Sequence, residues 1–129
     1  MGQHTDTLQQ GYEAYGRGDL EAAMADWHDD IRWEGSNSSR IPGSGTHEGK
    51  QAIAGVLQET VAAYDEFTVT PDEFVESGDT VVALGHTHLS KGGRAEQIPF
   101  VHVWRFEGDK VKRVQLLTDT AVAAEVLES

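Results

Sequence analysis

The sequence predicts an α+β fold in which helices cover the concave face of a curved antiparallel sheet. Apolar residues recur every three or four positions in the first half of the chain, and they alternate with polar residues after Phe67. Helices followed by a meander of strands are typical of this class. Residues 1–129 contain neither an internal repeat nor a linker, so we expect one domain with a real hydrophobic core.

Three helices are predicted ahead of the strands. The first follows Thr5 and Asp6, which are good helix-starting residues, and ends at residues 16–18. Asp19 is a favourable N-cap for the second helix, whose apolar stripe reaches Trp27. The third helix has one side formed by Ile53, Val56, Leu57, Thr60 and Tyr64.

A strand and a loop are predicted between the second and the third helix. Residues 31–34 alternate in polarity and predict a short strand. Residues 35–49 are rich in Gly and Ser, which predicts a long loop. Because loops of this length tend to be functional or mobile, we expect either a lid over a binding site or a flexible connection.

Four strands and a short helix complete the predicted fold. The strands cover residues 67–76, 80–89, 96–106 and 110–118, separated by tight turns that contain Gly, and the helix covers residues 120–127. Pro71 has no backbone N–H to donate, so its strand lies at an edge or contains a bulge.

Composition excludes several classes of function. The formal net charge is -12, and the ten basic residues form no large Lys/Arg cluster, so neither nucleic acid nor an anionic membrane is an expected partner. The absence of cysteine excludes disulfides and thiolate chemistry. No apolar run approaches the ~20 residues of a membrane span. The N-terminal residues lack the pattern of a secretory signal, so we expect a cytoplasmic protein.

The strand at residues 98–106 gives the strongest indication of a functional site. Alternate side chains of a strand share one face. That face carries Ile98, Phe100, His102 and Trp104. An imidazole in an aromatic surface is either a hydrogen-bonded core residue or the working group of a pocket, and both interpretations are open for His102.

Several segments resemble the nuclear transport factor 2-like superfamily. They are GDLE at residues 18–21, DDIRWE at 29–34, GTHEGKQAI at 45–53, VHVWRFEGDKV at 101–111 and TDTA at 118–121. Within the superfamily, the chain is most similar to SnoaL-like and ketosteroid-isomerase-related proteins. The resemblance implies a cone-shaped α+β barrel with a deep pocket, usually in a homodimer. It does not specify the reaction, since this fold serves many.

The resemblance also implies roles for individual residues. The aspartate base of ketosteroid isomerases falls on Gly35, and the neighbouring Glu34 points outward if Trp33 points inward. The tyrosine of the oxyanion hole falls near Gly11 or Tyr12, and its protonated aspartate falls on His102. Steroid isomerisation by that mechanism is therefore not expected, whereas His102 is expected to donate a hydrogen bond to a substrate oxygen.

Asp119 is a third catalytic candidate, because a carboxylate is common at its position in the resembling proteins. Asp is equally a favoured N-cap for the helix predicted at residues 120–127. Strict alternation along the last strand points Thr118 into the pocket, and a bulge would point Asp119 inward instead.

His86 and His88 share a strand face with Val82 and Leu84, which favours the pocket side. Together with His102 they would serve acid/base chemistry or form a three-nitrogen zinc site. The alternative is that they are merely solvated, and this alternative is favoured for His88, next to a Gly-rich turn. We expect neither a metal nor a cofactor. The predicted pocket-lining residues are Trp33, Leu84, His86, His88, Phe100, Trp104 and Leu116.

Two functions are consistent with this sequence. The first is a cofactor-independent isomerase, cyclase or lyase that performs acid/base chemistry on a small apolar carbonyl compound, with His102, Tyr12 and Asp119 as catalytic groups. The second is a binding or dimerisation module of the same fold without catalysis. We also expect a homodimer, because the convex sheet face would expose Val81, Ala83, Val101 and Val103 in a monomer.

Overall fold

A computed structural model of the chain describes residues 2–129 and contains four α-helices and six β-strands. In chain order they are α1 (Gln3–Gly16), α2 (Leu20–Ala23), β1 (Trp27–Glu34), β2 (Thr46–Glu48), α3 (Lys50–Ala63), β3 (Glu66–Ser77), β4 (Thr80–Lys91), β5 (Arg94–Glu107), β6 (Lys110–Thr118) and α4 (Thr120–Leu127). The predicted α+β class is confirmed. Among residues 2–129, no helix combines the length and hydropathy needed to span a membrane.

The six strands form one curved, unclosed sheet in the order β2-β1-β6-β5-β4-β3. Strands β3 to β6 form an antiparallel meander, whereas β1 pairs with β6 in parallel. The sheet is therefore mixed rather than antiparallel throughout. As Pro71 predicted, β3 is an edge strand, and its register shifts between Pro71 and Glu73.

The concave face of the sheet carries the main hydrophobic core. Phe100, Trp104 and Phe106 of β5 are buried there, together with Val81 and Ala83 of β4. The ladder pairs Ala83 with His102, so both side chains lie on this face.

The predicted faces of β4 are reversed in the structure. Val81 and Ala83, expected on the convex face, are fully buried, while Leu84 pairs with Val101 on the opposite face. Residues 81–84 are all apolar, so this part of the strand lacks the alternation of apolar and polar residues that distinguishes a buried face from an exposed one.

The largest differences between predicted and observed elements lie before α3. The second helix ends at Ala23, and Trp27 begins β1 instead of continuing the helical stripe. A three-residue strand, β2, lies inside the predicted loop and pairs antiparallel with β1.

Helix α1 is fixed against the sheet by a contact at its N-terminus. The backbone N–H and the hydroxyl of Thr5 both donate to Glu76 Oε1 of β3, at 2.8 and 2.6 Å. A carboxylate at this end satisfies a backbone donor that has no helical partner. Leu8 is buried in the core, and Tyr12, one turn later on the same side of α1, faces the sheet as well.

Candidate functional site

A cavity of about 200 Å³ lies between the helices and the concave sheet face. Aromatic side chains form much of its wall: Trp27, Trp33, Phe67, Phe100 and Trp104. Asp26 is the only Asp, Glu, Lys or Arg among the lining residues within 2–129, and it is exposed. The interior surface of the cavity is therefore apolar, with a few uncharged polar groups.

Three side chains in the cavity wall form a hydrogen-bonded chain. The indole N–H of Trp104 donates to the hydroxyl oxygen of Tyr12 over 2.9 Å, and this oxygen lies 2.7 Å from His102 Nδ1. Because an indole only donates, the Tyr12 oxygen is the acceptor of the first bond, and its own O–H is free to donate to Nδ1. With Tyr12 donating to Nδ1, we assign the proton of the neutral His102 imidazole to Nε2.

Burial keeps both members of the Tyr12–His102 pair uncharged. It lowers the pKa of the His102 imidazole from 6.5 to about 3. Burial also raises the pKa of the Tyr12 phenol well above its ordinary value, and the bond from Trp104 opposes this only in part. At neutral pH the site therefore contains a neutral phenol and a neutral imidazole.

The Nε2–H group of His102 is available to a ligand. No protein group among residues 2–129 bonds to Nε2, and protein atoms do not cover Nε2 completely. The ring itself forms part of the cavity wall and stacks on Phe100, with centroids 4.1 Å apart. His102 therefore presents one hydrogen-bond donor to an otherwise apolar interior.

The structure brings most of the predicted site residues together. Those that line the cavity are Tyr12, Trp33, Phe100, His102, Trp104 and Leu116. Sequence reasoning did not select Tyr15 and Thr87, which also line it. Tyr15 follows Tyr12 by three positions on α1, a spacing that places both on one side of the helix, and burial raises its pKa to about 12.

Leu84, His86 and His88, predicted to line the pocket, instead lie on the convex side of the sheet. His86 Nδ1 is 2.8 Å from Asp72 Oδ2, and His88 Nε2 is 3.4 Å from Glu66 Oε1. The three histidines considered for zinc therefore cannot converge, because His102 faces the concave side. No group of potential metal ligands occurs within the described residues 2–129.

Asp119 is exposed, and its side chain caps α4 rather than facing the cavity. Its Oδ1 accepts a hydrogen bond from the Val122 backbone N–H at 3.1 Å. Thr118, one residue earlier, lines the cavity, as unbroken alternation along β6 predicts. The geometry corresponds to the capping alternative for Asp119.

Gly35, the position of the aspartate base in the resembling isomerases, lies at the cavity without room for a side chain. Its N–H bonds to Gly45 O over 2.9 Å, and a Cβ on Gly35 would lie 2.4 Å from Gly43 O. The loop that follows β1 contributes Ser36, Ile41, Pro42 and Gly43 to the cavity wall. The loop backbone therefore occupies the space that a catalytic carboxylate would need.

Comparison with known proteins identifies the family. The model of the SnoaL-like domain matches residues 8–114, which is most of the chain. The chain belongs to the SnoaL-like family. A search of curated proteins found no match.

Solved structures with the nuclear transport factor 2-like fold superimpose over the whole length of this SnoaL-like chain. An NTF2-like protein from Burkholderia pseudomallei is 31% identical, with a TM-score of 0.92 and 100% of both chains covered. TerC, co-crystallized with polyporic acid, is 26% identical, with a TM-score of 0.90 and 98% of both chains covered. IdmH from Streptomyces antibioticus, a candidate polyketide cyclase, is 20% identical; its TM-score is 0.81, over 99% of this chain and 100% of its own.

Proposed function

We propose that this SnoaL-like protein binds a small, uncharged carbonyl compound in its cavity and that His102 Nε2–H donates a hydrogen bond to the carbonyl oxygen. The observation that carries the proposal is the chain from Trp104 through Tyr12 to His102, with bonds of 2.9 and 2.7 Å. This chain occupies Nδ1 and so leaves the proton on Nε2, the ring nitrogen without a protein partner within residues 2–129.

The size and polarity of the cavity favour a neutral organic ligand. Its volume of about 200 Å³ exceeds the roughly 150 Å³ of an engineered apolar cavity that binds benzene. An ionised ligand would lose its hydration without gaining a counter-ion, because Asp26, the charged residue of the described lining, is exposed. The relative TerC, 26% identical and co-crystallized with polyporic acid, supports an organic small molecule as the ligand.

A fixed donor at a carbonyl oxygen promotes reactions in which negative charge develops on that oxygen. Isomerisation and cyclisation of enolisable carbonyl compounds are of this kind, and one oxyanion-hole donor contributes roughly a hundred- to a thousandfold in rate. Tyr12 and Trp104 act as positioning residues, because they fix the orientation and the tautomer of the imidazole. Since no buried carboxylate belongs to the described lining, the carbon-bound proton would pass to water or to a group of the substrate.

A non-catalytic binding module is the second candidate function. It is favoured by Gly35, whose surroundings leave no space for the base that the ketosteroid isomerases place there. Both candidates require the cavity and His102 to bind a carbonyl compound, and they differ only in turnover.

Infrared spectroscopy of a bound carbonyl probe tests the shared requirement. We expect para-acetylbiphenyl to quench the fluorescence of the three tryptophans, all of which line the cavity, and its carbonyl stretch to move to lower frequency on binding. In a His102→Phe variant the stretch should stay where it is in an apolar solvent. His88→Phe, the same substitution on the convex side, is the matched control. An unshifted stretch in the wild type would contradict the proposal.

We also propose that the protein is a homodimer that covers the convex sheet face. The ladder aligns Leu84 with Val101 and Val101 with Leu117, which is 58% exposed. Val82 and Val103 extend this apolar patch on the convex face. Val82 and Leu84 lie where the sequence prediction had placed Val81 and Ala83, which are buried. A second copy would remove the patch from water.

Sedimentation of charged variants tests the dimer. Leu117→Lys should shift the protein towards the 14.1 kDa monomer, because a lysine in the centre of an apolar interface loses hydration. Val61→Lys is the matched control, since Val61 is 48% exposed on α3, away from the sheet. A monomeric wild type at micromolar concentration would exclude the dimer.

A further inference from the structure

Thr87 is a buried polar residue of the cavity wall to which the proposed function gives no role. It lies on the concave face of β4 and is 6% exposed. Its hydroxyl has no hydrogen-bond partner among residues 2–129, and protein atoms do not cover its oxygen completely. Because Thr87 lines the cavity, the space its hydroxyl can reach is the cavity itself.

A threonine at this position is not explained by packing alone. Valine has nearly the same shape and the same preference for strands, and it would line an apolar cavity without leaving a polar atom unpaired. An unpaired hydroxyl in an apolar setting costs free energy unless a bound molecule satisfies it. The hydroxyl of Thr60, also in the wall, shows the contrast, because it already donates to Val56 O over 2.8 Å.

Thr87 and His102 lie at opposite ends of an apolar part of the concave sheet face. We call this part, which includes Ile98 and Phe100, the floor of the cavity. Thr87 pairs with Ile98, which precedes His102 by four residues on β5. At the rise of a β-strand, four residues correspond to about 13 Å along the sheet. Both side chains lie on the concave face, so a single molecule lying along β5 can reach both of them.

The floor between these two residues is flat and aromatic. Phe100 stacks on His102 with an interplanar angle of 19°, and its ring extends over Gly85, its partner in the ladder. A Cβ on Gly85 would lie 2.2 Å from Thr70 O and 2.7 Å from Phe100 Cζ, so only a glycine fits between the β3 backbone and this ring. A ligand body that covers this floor has to be apolar and thin.

We infer that Thr87 is a second polar anchor of the cavity and that the ligand is an elongated, uncharged molecule with a hydrogen-bonding oxygen at each end. This inference rests on the proposed function, since it places the carbonyl at His102. The far oxygen belongs to a hydroxyl or a second carbonyl, because a threonine hydroxyl both donates and accepts. The body between the two oxygens is a flat hydrocarbon, most simply a pair of rings.

A pair of probes that differ by one hydroxyl tests the second anchor. Para-acetylbiphenyl has one oxygen, and its analogue with a hydroxyl on the far para carbon has an oxygen at each end. Titration followed by tryptophan fluorescence should show the analogue binding the wild type about fivefold more tightly, as expected for one neutral hydrogen bond. In Thr87→Val the two probes should bind equally, and in Thr87→Ser, which keeps a hydroxyl, the preference should return.

The outcomes separate this inference from the proposal on which it rests. If both probes bind the wild type with the same affinity, Thr87 is not an anchor, whereas the cavity remains a binding site. If the preference persists in Thr87→Val, the far hydroxyl binds elsewhere and the inference is equally wrong. If neither probe binds, the proposed function fails and the second anchor fails with it.

Discussion

Acidification should destabilise this protein, and one imidazole in the cavity wall, that of His102, should account for a defined part of the loss. The pKa of His102 is about 3 in the folded chain and returns to its ordinary value of 6.5 on unfolding. Between these two pH values the unfolded chain binds a proton that the folded chain does not. Stability is therefore complete above the unfolded pKa and is lost as the pH falls towards the folded one.

The magnitude follows from the difference between the two pKa values. Each pH unit between them lowers the free energy of unfolding by about 1.4 kcal/mol. Acidification from about pH 7.5 to about pH 4.5 should therefore remove about 3 kcal/mol. A loss of this size is a large part of the roughly 5–15 kcal/mol that stabilises a typical domain.

Urea unfolding at several pH values, followed by tryptophan fluorescence at constant protein concentration, measures this loss. Paired carboxylates contribute in the same direction, since the Arg113 bond, for example, lowers the pKa of Glu34. They are present in every variant, so comparison with His102→Phe isolates the imidazole. The difference in unfolding free energy between wild type and His102→Phe should shrink by about 3 kcal/mol over this range. His88→Phe should follow the wild type.

A constant difference in unfolding free energy between wild type and His102→Phe would contradict the low pKa of His102. It would mean that His102 is protonated in the folded chain as readily as in the unfolded one. The imidazole would then be solvated or paired with a charge, and the neutral donor proposed for the cavity would not exist at acidic pH.

Two further substitutions test the surroundings of His102. Tyr12→Phe leaves the indole N–H of Trp104 and the Nδ1 atom of His102 without their partner, and it should lower the unfolding free energy by about 1–3 kcal/mol. The same variant should weaken the binding of para-acetylbiphenyl, because the imidazole proton is free to move to Nδ1; unchanged affinity would exclude a positioning role for Tyr12. Gly35→Ala should lower the unfolding free energy, measured in urea, by about 1–3 kcal/mol, because the added Cβ would clash with Gly43 O. A stability equal to that of the wild type would show that the loop backbone moves to make room for the methyl group.

The sequence correctly predicted which face of β5 is buried, and the physical reason is local. Large apolar side chains at alternate positions around His102 leave only one face that can be buried, so both the strand and its orientation could be predicted. In β4 the run Val81 to Leu84 is apolar at every position, and the pattern supports either face. The register with β5 decides it, and register depends on contacts between strands that a single sequence does not contain.

The reversal in β4 explains most of the errors at the site. With the faces exchanged, His86 and His88 were expected in the pocket, whereas the structure places Thr87, between them, in the cavity wall. Tyr12, the hydrogen-bonded partner of His102, was predicted as a site residue from the family resemblance. The obstruction at Gly35 could not be anticipated, since it arises where the loop backbone folds back onto the end of β1.

Nitrogen-15 NMR of the His102 ring can show directly whether Nε2 is the donor, because one-bond and long-range couplings identify which ring nitrogen carries the proton. We expect a neutral imidazole at pH 7 with the proton on Nε2, an unprotonated Nδ1 that accepts from Tyr12, and no titration down to about pH 4. Tyr12→Phe should disturb this pattern, whereas His88→Phe should leave it unchanged. A proton on Nδ1, or an imidazolium at pH 7, would contradict the proposed role of His102, because the cavity would then lack the neutral Nε2–H donor on which the proposed function depends.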